Sequence, residues 1–231
     1  MHEHTATGGD ERTATRSGRW VAVALGAVTG LAWAGALRAW MAELAGYESQ
    51  FSWGTFVGVM LPGLLVGAAY GWAATVGTST PTAAERRMLR WCTAAPLAFA
   101  LAPLLLPGAV AALFTNGLGG GATFVALAAI AGGYALGGRR GWARIVCGVL
   151  ALGSALAGAL LAGPLVRGPV LALDTPRGAW VAVFDLTLLL ALYAAASIPF
   201  RRLSAIARAR RDAPGGAAGS ADRPAPARST S

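Results

Sequence analysis

The chain contains little charge and no lysine. Only 13% of its 231 residues are charged, whereas a soluble domain has about 25%, and all 19 basic residues are arginine. The chain is 55% hydrophobic, with a mean hydropathy of +0.56, and it contains 53 alanines and 32 glycines. This composition excludes an ordinary water-soluble domain, and it favours a membrane protein from a bacterium with a high-GC genome.

Residues that carry common enzyme chemistry are also scarce. The only histidines, His2 and His4, lie in the polar N-terminal tail, and Cys92 and Cys147 lack CxxC spacing. The sequence has no GxSxG, HExxH, P-loop or dinucleotide-binding motif. We therefore expect no enzyme activity, no metal site and no cofactor. Despite the net charge of +9, the arginines are spread between apolar runs, so we expect no nucleic-acid partner.

Six apolar runs are each about long enough for a helix that crosses a bilayer, which needs about 20 residues. They cover residues 20–41, 53–76, 91–114, 119–138, 142–166 and 178–200. Lipid offers no hydrogen bonds to backbone amides, so these runs must be helices. The sequence predicts an all-α, polytopic integral membrane protein with six transmembrane helices, a disordered tail over 1–19, and a basic, then disordered, tail over 201–231.

The arginines predict the orientation. Sixteen of them flank the runs on one side of the predicted membrane, and only Arg38, Arg167 and Arg177 lie on the other. Because positive residues are retained in the cytoplasm, we expect both termini inside the bacterial cell membrane, with the cytoplasmic arginines near anionic lipid headgroups. Seven of the eight tryptophans lie at run ends, as interfacial anchors do; Trp33 alone is central.

The first run has an alternative interpretation as a cleaved secretory signal, with Ala34-Gly35-Ala36 as the small-residue cleavage site. The run stays apolar to Met41 and contains an interfacial Trp40, which favours an uncleaved helix. The third run contains Pro96, Pro103 and Pro107. Since each proline removes a backbone donor, we expect that helix to be kinked or partly broken.

Glycines four residues apart predict close helix contacts. Such spacing occurs at Gly26 and Gly30, at Gly133 and Gly137, and in two sets within the second run, Gly54 and Gly58 and then Gly63, Gly67 and Gly71. Small residues let helix backbones approach where lipid supplies no hydrophobic driving force. We interpret them first as packing within the chain; the alternative is a face for a homo-oligomer or a membrane partner.

One acidic residue, Asp185, lies well inside an apolar run. An ionised side chain at the centre of a membrane helix costs about 2.5–3.5 kcal/mol, so such residues are candidates for function. Arg38, near the outer end of the first helix, is at a similar but shallower depth, and we predict an Arg38–Asp185 charge pair. The pair has two interpretations. It is either a structural contact that joins the first and sixth helices, or Asp185 is a protonatable or cation-binding carboxylate in a translocation path, with Arg38 as its partner.

The segment from Arg38-Ala39-Trp40-Met41 to Phe51-Ser52-Trp53-Gly54-Thr55 resembles a group of uncharacterised multi-pass membrane proteins of high-GC bacteria. In that group an Arg-x-Trp-Met end of the first helix precedes a Phe-Ser/Thr-Trp turn into the second. The resemblance covers some twenty residues and implies no activity.

The sequence leaves the molecular function open between classes. We expect a structural or accessory membrane component; the alternative is a small-solute or ion transporter that uses Asp185 paired with Arg38, and a solute-binding subunit of an importer is a third hypothesis. A transporter requires Asp185 to face a wet cavity, whereas an accessory protein requires a dry, packed bundle with an exposed small-residue face.

Overall fold

The computed structural model describes residues 7–102 and 118–212, which form helices and no strand. The helices are α1 (Thr7–Ala45), α2 (Trp53–Thr75), α3 (Ala83–Ala94), α4 (Leu97–Leu101), α5 (Leu118–Gly137), α6 (Gly141–Arg167) and α7 (Pro176–Asp212). Stretches of α1, α2, α6 and α7 are long and apolar enough to cross a membrane, and Gly121–Gly137 within α5 is a shorter apolar helix. The predicted all-α class is confirmed.

Two helices are longer than the apolar runs predicted. The first begins at Thr7 instead of residue 20, and the last continues to Asp212 instead of ending at residue 200. A helix that is already formed adds one hydrogen bond for each further residue, so it can extend into polar sequence without a new nucleus. Residues 7–19 and 201–212 are therefore helical, and the expected disorder of 1–6 and 213–231 lies outside the described residues.

The third predicted helix is interrupted, as its prolines led us to expect. It ends at Ala94, and α4 begins at Leu97, after a turn at Ala95 and Pro96. Pro103, Pro107 and the end of the run at residue 114 lie outside the described residues. Six membrane crossings therefore stay a prediction.

Helix α7 is the centre of the bundle, since it packs against α1, α2, α3, α5 and α6. One buried cluster joins Leu192 and Ala196 of α7 to Tyr70 of α2, Phe99 of α4 and Ala129 of α5. Nearer the C-terminus of α7, a second cluster joins α7 to α2 and α3 through Ala73, Val76, Leu89, Cys92 and Ile206.

Helices α1 and α2 pack backbone against backbone at their glycines. A Cβ atom added at Gly30 would lie 2.1 Å from the Gly63 carbonyl oxygen, and one added at Gly26 would lie 2.3 Å from that of Gly67. One added at Gly71 would lie 2.2 Å from the Ala22 carbonyl oxygen. No side chain fits at these positions, so glycine is required for this helix separation.

A second seam of small residues joins α5 to α7. A Cβ atom added at Gly133 would lie 2.8 Å from the Ala196 backbone, and one added at Gly137 would lie 2.7 Å from the Ser197 carbonyl oxygen. The Ser204 hydroxyl donates a 2.7 Å hydrogen bond to the Gly137 carbonyl at the end of this seam. Close approach of the helices thus makes a backbone carbonyl available to a buried side chain.

The two ends of the bundle differ in charge. At the arginine-rich end, defined by Arg19, Arg144, Arg201, Arg202 and Arg208, Arg19 forms a 3.1 Å ion pair with Glu85. The Thr82 backbone N–H donates to Glu85 and, together with Arg19, lowers the pKa of this carboxyl group. At the opposite end Arg177 pairs with Glu43 at 2.6 Å. The start of α1 and the end of α7 therefore lie at the same, arginine-rich end of the bundle.

Replacing Gly30 by alanine is expected to destabilise the protein by about 1–3 kcal/mol, because the added methyl group overlaps the α2 backbone. The matched control is Gly35→Ala on the same helix, where a Cβ atom has nothing within 4 Å and alanine has the better helix propensity. Denaturant unfolding in mild detergent measures both. Equal stabilities of the two variants would contradict the backbone contact.

Candidate functional site

The carboxyl group of Asp185 is buried between α7 and α6. Asp185 lies about 14 Å along α7 from Pro176 and is 6% exposed. Its Oδ2 atom has no hydrogen-bond partner among the described residues. A Cβ atom added at Gly158 of α6 would lie 2.5 Å from this oxygen, so the carboxyl group faces a position where the opposing helix has no side chain.

Small residues of α6 make the space for this contact. Ala151, Ala155, Ala159 and Gly163 are the buried residues of that helix, and they recur every four positions along one face. This face packs against Leu189 and Tyr193 of α7 and Ala128 of α5. Residues at this spacing share a helix face, so α6 presents a nearly flat surface to α7.

A second polar group lies on the same contact, two turns beyond Asp185. The Tyr193 hydroxyl is 3.0 Å from the Ser154 hydroxyl and donates to the Ala151 carbonyl oxygen at 3.1 Å. Tyr193 is thus satisfied by α6, and Leu189 lies between Tyr193 and Asp185 along α7. The arrangement therefore has one unpartnered carboxyl group, with no second acid or base bonded to it in the described structure.

The structure does not bring Arg38 to Asp185. The Arg38 guanidinium donates to the Ser49 hydroxyl at 2.8 Å and to the Gln50 carbonyl at 2.7 Å, and it lies 5.8 Å from the centre of the Phe51 ring. Its flexible side chain therefore holds the loop that follows α1. We correct the predicted charge pair, because these loop groups satisfy Arg38 at the end of the bundle.

Tryptophans, instead of charges, join α1 to α7. The Trp40 indole N–H donates to the Val181 carbonyl at 3.3 Å, and the Trp33 indole N–H donates to the Leu188 carbonyl at 2.9 Å. Trp33 also meets Phe99 edge to face, with ring centres 5.5 Å apart. Sequence reasoning missed these bonds, although the isolated central position of Trp33 was a signal for one of them.

The packing glycines predicted in the second run all lie on α2. Gly63, Gly67 and Gly71 lie against α1, as described above. Gly58 is buried and Gly54 half-buried; Gly58 lies in a π-helical turn, Phe56–Met60, just before Pro62. Because proline cannot donate to the carbonyl four residues earlier, the wider turn fits its position.

A cavity of about 580 Å³ lies at the arginine-rich end, between the ends of α2 and α5, the start of α6 and the C-terminal part of α7. Asp185 does not line it. Within the described ranges, no group of three or more histidine, cysteine or acidic side chains could hold a metal ion. The bundle thus presents two separate polar features, a buried carboxyl group and a basic cavity.

No protein-family model, no curated protein and no solved structure matches the chain. The segment from Arg38 to Thr55 resembles uncharacterised membrane proteins, and this resemblance implies no activity for the site.

The variant Gly158→Ala is expected to lose about 1–3 kcal/mol of stability, because the new methyl group overlaps Asp185 Oδ2. In an Asp185→Ala background the same change should cost little, since the carboxyl group is gone. A double-mutant cycle of unfolding free energies measures this coupling. Gly153→Ala, with open space around its Cβ position, is the control on the same helix. Equal costs in both backgrounds would exclude the contact.

Proposed function

We propose that this chain is a non-enzymatic, multi-pass protein of the bacterial cytoplasmic membrane with a structural or accessory role. The packing around Asp185 is the observation that supports the proposal: the carboxyl group lies against α6, and the cavity at the arginine-rich end does not include it. A transporter needs its binding group to be reached by water and substrate. A closed contact of this kind favours a protein that acts through contacts of its surface with other membrane proteins.

The lipid-facing surface of α6 provides a face for a membrane partner. Gly153 and Ala157 are exposed on it, four residues apart, and a Cβ atom at Gly153 would have nothing within 4 Å. Small residues with this spacing allow a neighbouring helix to approach closely. The surrounding side chains on this surface are apolar, among them Val149, Leu156 and Leu160.

For the topology we propose six crossings with both termini in the cytoplasm. At the arginine-rich end lie arginines of α1, of the start of α6 and of the C-terminal part of α7. The opposite end has Arg38, Arg167 and Arg177, which bond to the loop after α1, to the Ala45 carbonyl and to Glu43. Positive residues are retained in the cytoplasm, so the arginine-rich end is the inner one.

A second candidate function is a small-solute or ion transporter that uses Asp185. It is favoured by the unpartnered Oδ2 atom, since an acidic residue inside a membrane protein is retained at an energetic cost. Arg38 has no part in this candidate, because it bonds to the loop. The carboxyl group alone would bind the proton or cation, after a motion that separates α6 from α7.

Proton and cation flux into liposomes distinguishes the two functions. An accessory protein should give the rate of protein-free liposomes, both as the parent chain and as Asp185→Asn. The Asn variant should be at least as stable as the parent, because a neutral amide costs less to bury than a carboxylate. Flux that is present in the parent and in Asp174→Asn, which changes an exposed loop carboxylate, but absent in Asp185→Asn would establish the transporter instead.

The orientation is tested with a membrane-impermeant thiol reagent on intact cells. In a chain lacking Cys92 and Cys147, Tyr47→Cys at the opposite end should be labelled, whereas Ala209→Cys at the arginine-rich end should react only after lysis. Both positions are exposed. Reversed labelling would show that the arginine-rich end faces outward.

A further inference from the structure

The cavity at the arginine-rich end arises because α7 extends beyond the ends of α2 and α5. Helix α2 ends at Thr75 and α5 ends at Gly137, whereas α7 continues to Asp212. The C-terminal part of α7 therefore extends beyond the ends of α2 and α5. Ala74, Gly137 and Ile198 line the cavity along with arginine side chains. Its volume of about 580 Å³ lies within the range of about 300–1,000 Å³ typical of small-ligand sites.

Four arginines line this cavity, and none of the described residues around it is acidic. They belong to Arg144 at the start of α6 and to Arg201, Arg202 and Arg208 of α7. Within the described ranges none of the four forms an ion pair, since the two ion pairs found there involve Arg19 and Arg177. Like charges around one cavity repel one another, so an anion bound between them would stabilise the arrangement.

Backbone contacts orient two of these arginines and leave most of their donors unused. Arg144 donates through Nε to the Ala135 carbonyl at 2.9 Å, and Arg202 donates to the Ala74 carbonyl. Each guanidinium has five N–H donors, so both retain groups that can bind a ligand. Arg201 and Arg208 make no hydrogen bond to the described part of the chain through their guanidinium groups.

With the membrane placed as proposed above, the cavity lies at the level of the phospholipid headgroups. The apolar run of α7 ends at Phe200, and Arg201 and Arg202 follow at once. The apolar side of the cavity, at Ile198, is thus one turn from its charged side. Phosphate oxygens accept paired hydrogen bonds from arginine, and basic pockets at this depth between membrane helices suit anionic headgroups.

We propose that this cavity binds a phosphate group, with Arg201 and Arg208 as its principal ligands and Arg144 and Arg202 as oriented supporting donors. The phosphate can belong to an anionic lipid headgroup or to a soluble phosphate compound, since both present the same oxygens. The site is separate from the buried Asp185, and its occupancy does not depend on whether the protein transports a solute.

The test measures binding to the full chain in mild detergent with two probes. Diphosphatidylglycerol, followed by native mass spectrometry, represents the lipid source, and inorganic pyrophosphate, followed by calorimetric titration, represents the soluble source. Tight binding of the lipid without displacement by pyrophosphate would support a headgroup site. Tight binding of pyrophosphate would support a site for a soluble phosphate. Binding of neither probe would overturn the proposal.

Matched arginine variants separate the cavity from general positive charge. Arg201→Gln with Arg208→Gln should weaken binding about 25-fold, at roughly fivefold for each arginine removed. Arg210→Gln with Arg211→Gln removes the same charge from the same helix but outside the cavity, and it should weaken binding less than about fivefold. An equal loss in the two double variants would show diffuse attraction and overturn the site.

A second pair of variants tests the cavity without removing any arginine. Thr78 lines the cavity and the adjacent Ser79 does not. Thr78→Asp places a carboxylate among the guanidinium groups and should abolish detectable binding, whereas Ser79→Asp, with the same net charge, should retain it. Thermal unfolding of each variant checks its fold. Retained binding in a folded Thr78→Asp would contradict the proposed location.

Discussion

Backbone contact between α1 and α2 is the constraint on which the bundle depends. Lipid provides no hydrophobic driving force for helix association, so van der Waals contacts and interhelical hydrogen bonds stabilise the packed helices. The glycines of α1 and α2 bring the two backbones to a distance at which a single methyl group at Gly30 would overlap Gly63. The seam between α5 and α7 repeats this arrangement at Gly133 and Gly137. Together the two seams set the positions of the helices around α7.

Close helix spacing also explains how the bundle satisfies several of its buried polar side chains. Where helices approach closely, the carbonyl oxygens of one helix come within reach of donors on the next. Trp33, Tyr193 and Ser204 all donate to such carbonyls, at distances of 2.7–3.1 Å. A neutral donor that bonds to a carbonyl avoids the desolvation cost that two buried charges incur. The interior is therefore held by neutral hydrogen bonds, and the two ion pairs of the described chain lie at its ends.

Much of the fold follows from the sequence, because hydropathy and glycine spacing are local properties. The structure has the all-helical class, helices at the predicted runs 53–76 and 142–166, and the break at Pro96. The glycine repeat of α2 lies on the face that packs against α1. The surroundings of Asp185 could not be predicted this way. Depth along a helix placed Arg38 near it, but the rotation of α1 and the nearby loop carbonyl decide where the guanidinium binds. The cavity likewise depends on where four separate helices end.

Asp185 and the cavity arginines place different demands on the protein. A carboxyl group can be neutralised by a single proton, so a buried aspartate can remain in a closed contact without a counterion. Arginine does not lose its charge in a protein, so the four arginines around one cavity stay positively charged, and an anion from outside the chain would offset their repulsion. The interior contact at Gly158 can accordingly be complete within one chain. The anion that we propose at the arginine-rich end would instead connect this end of the bundle to the lipid or solute beside it.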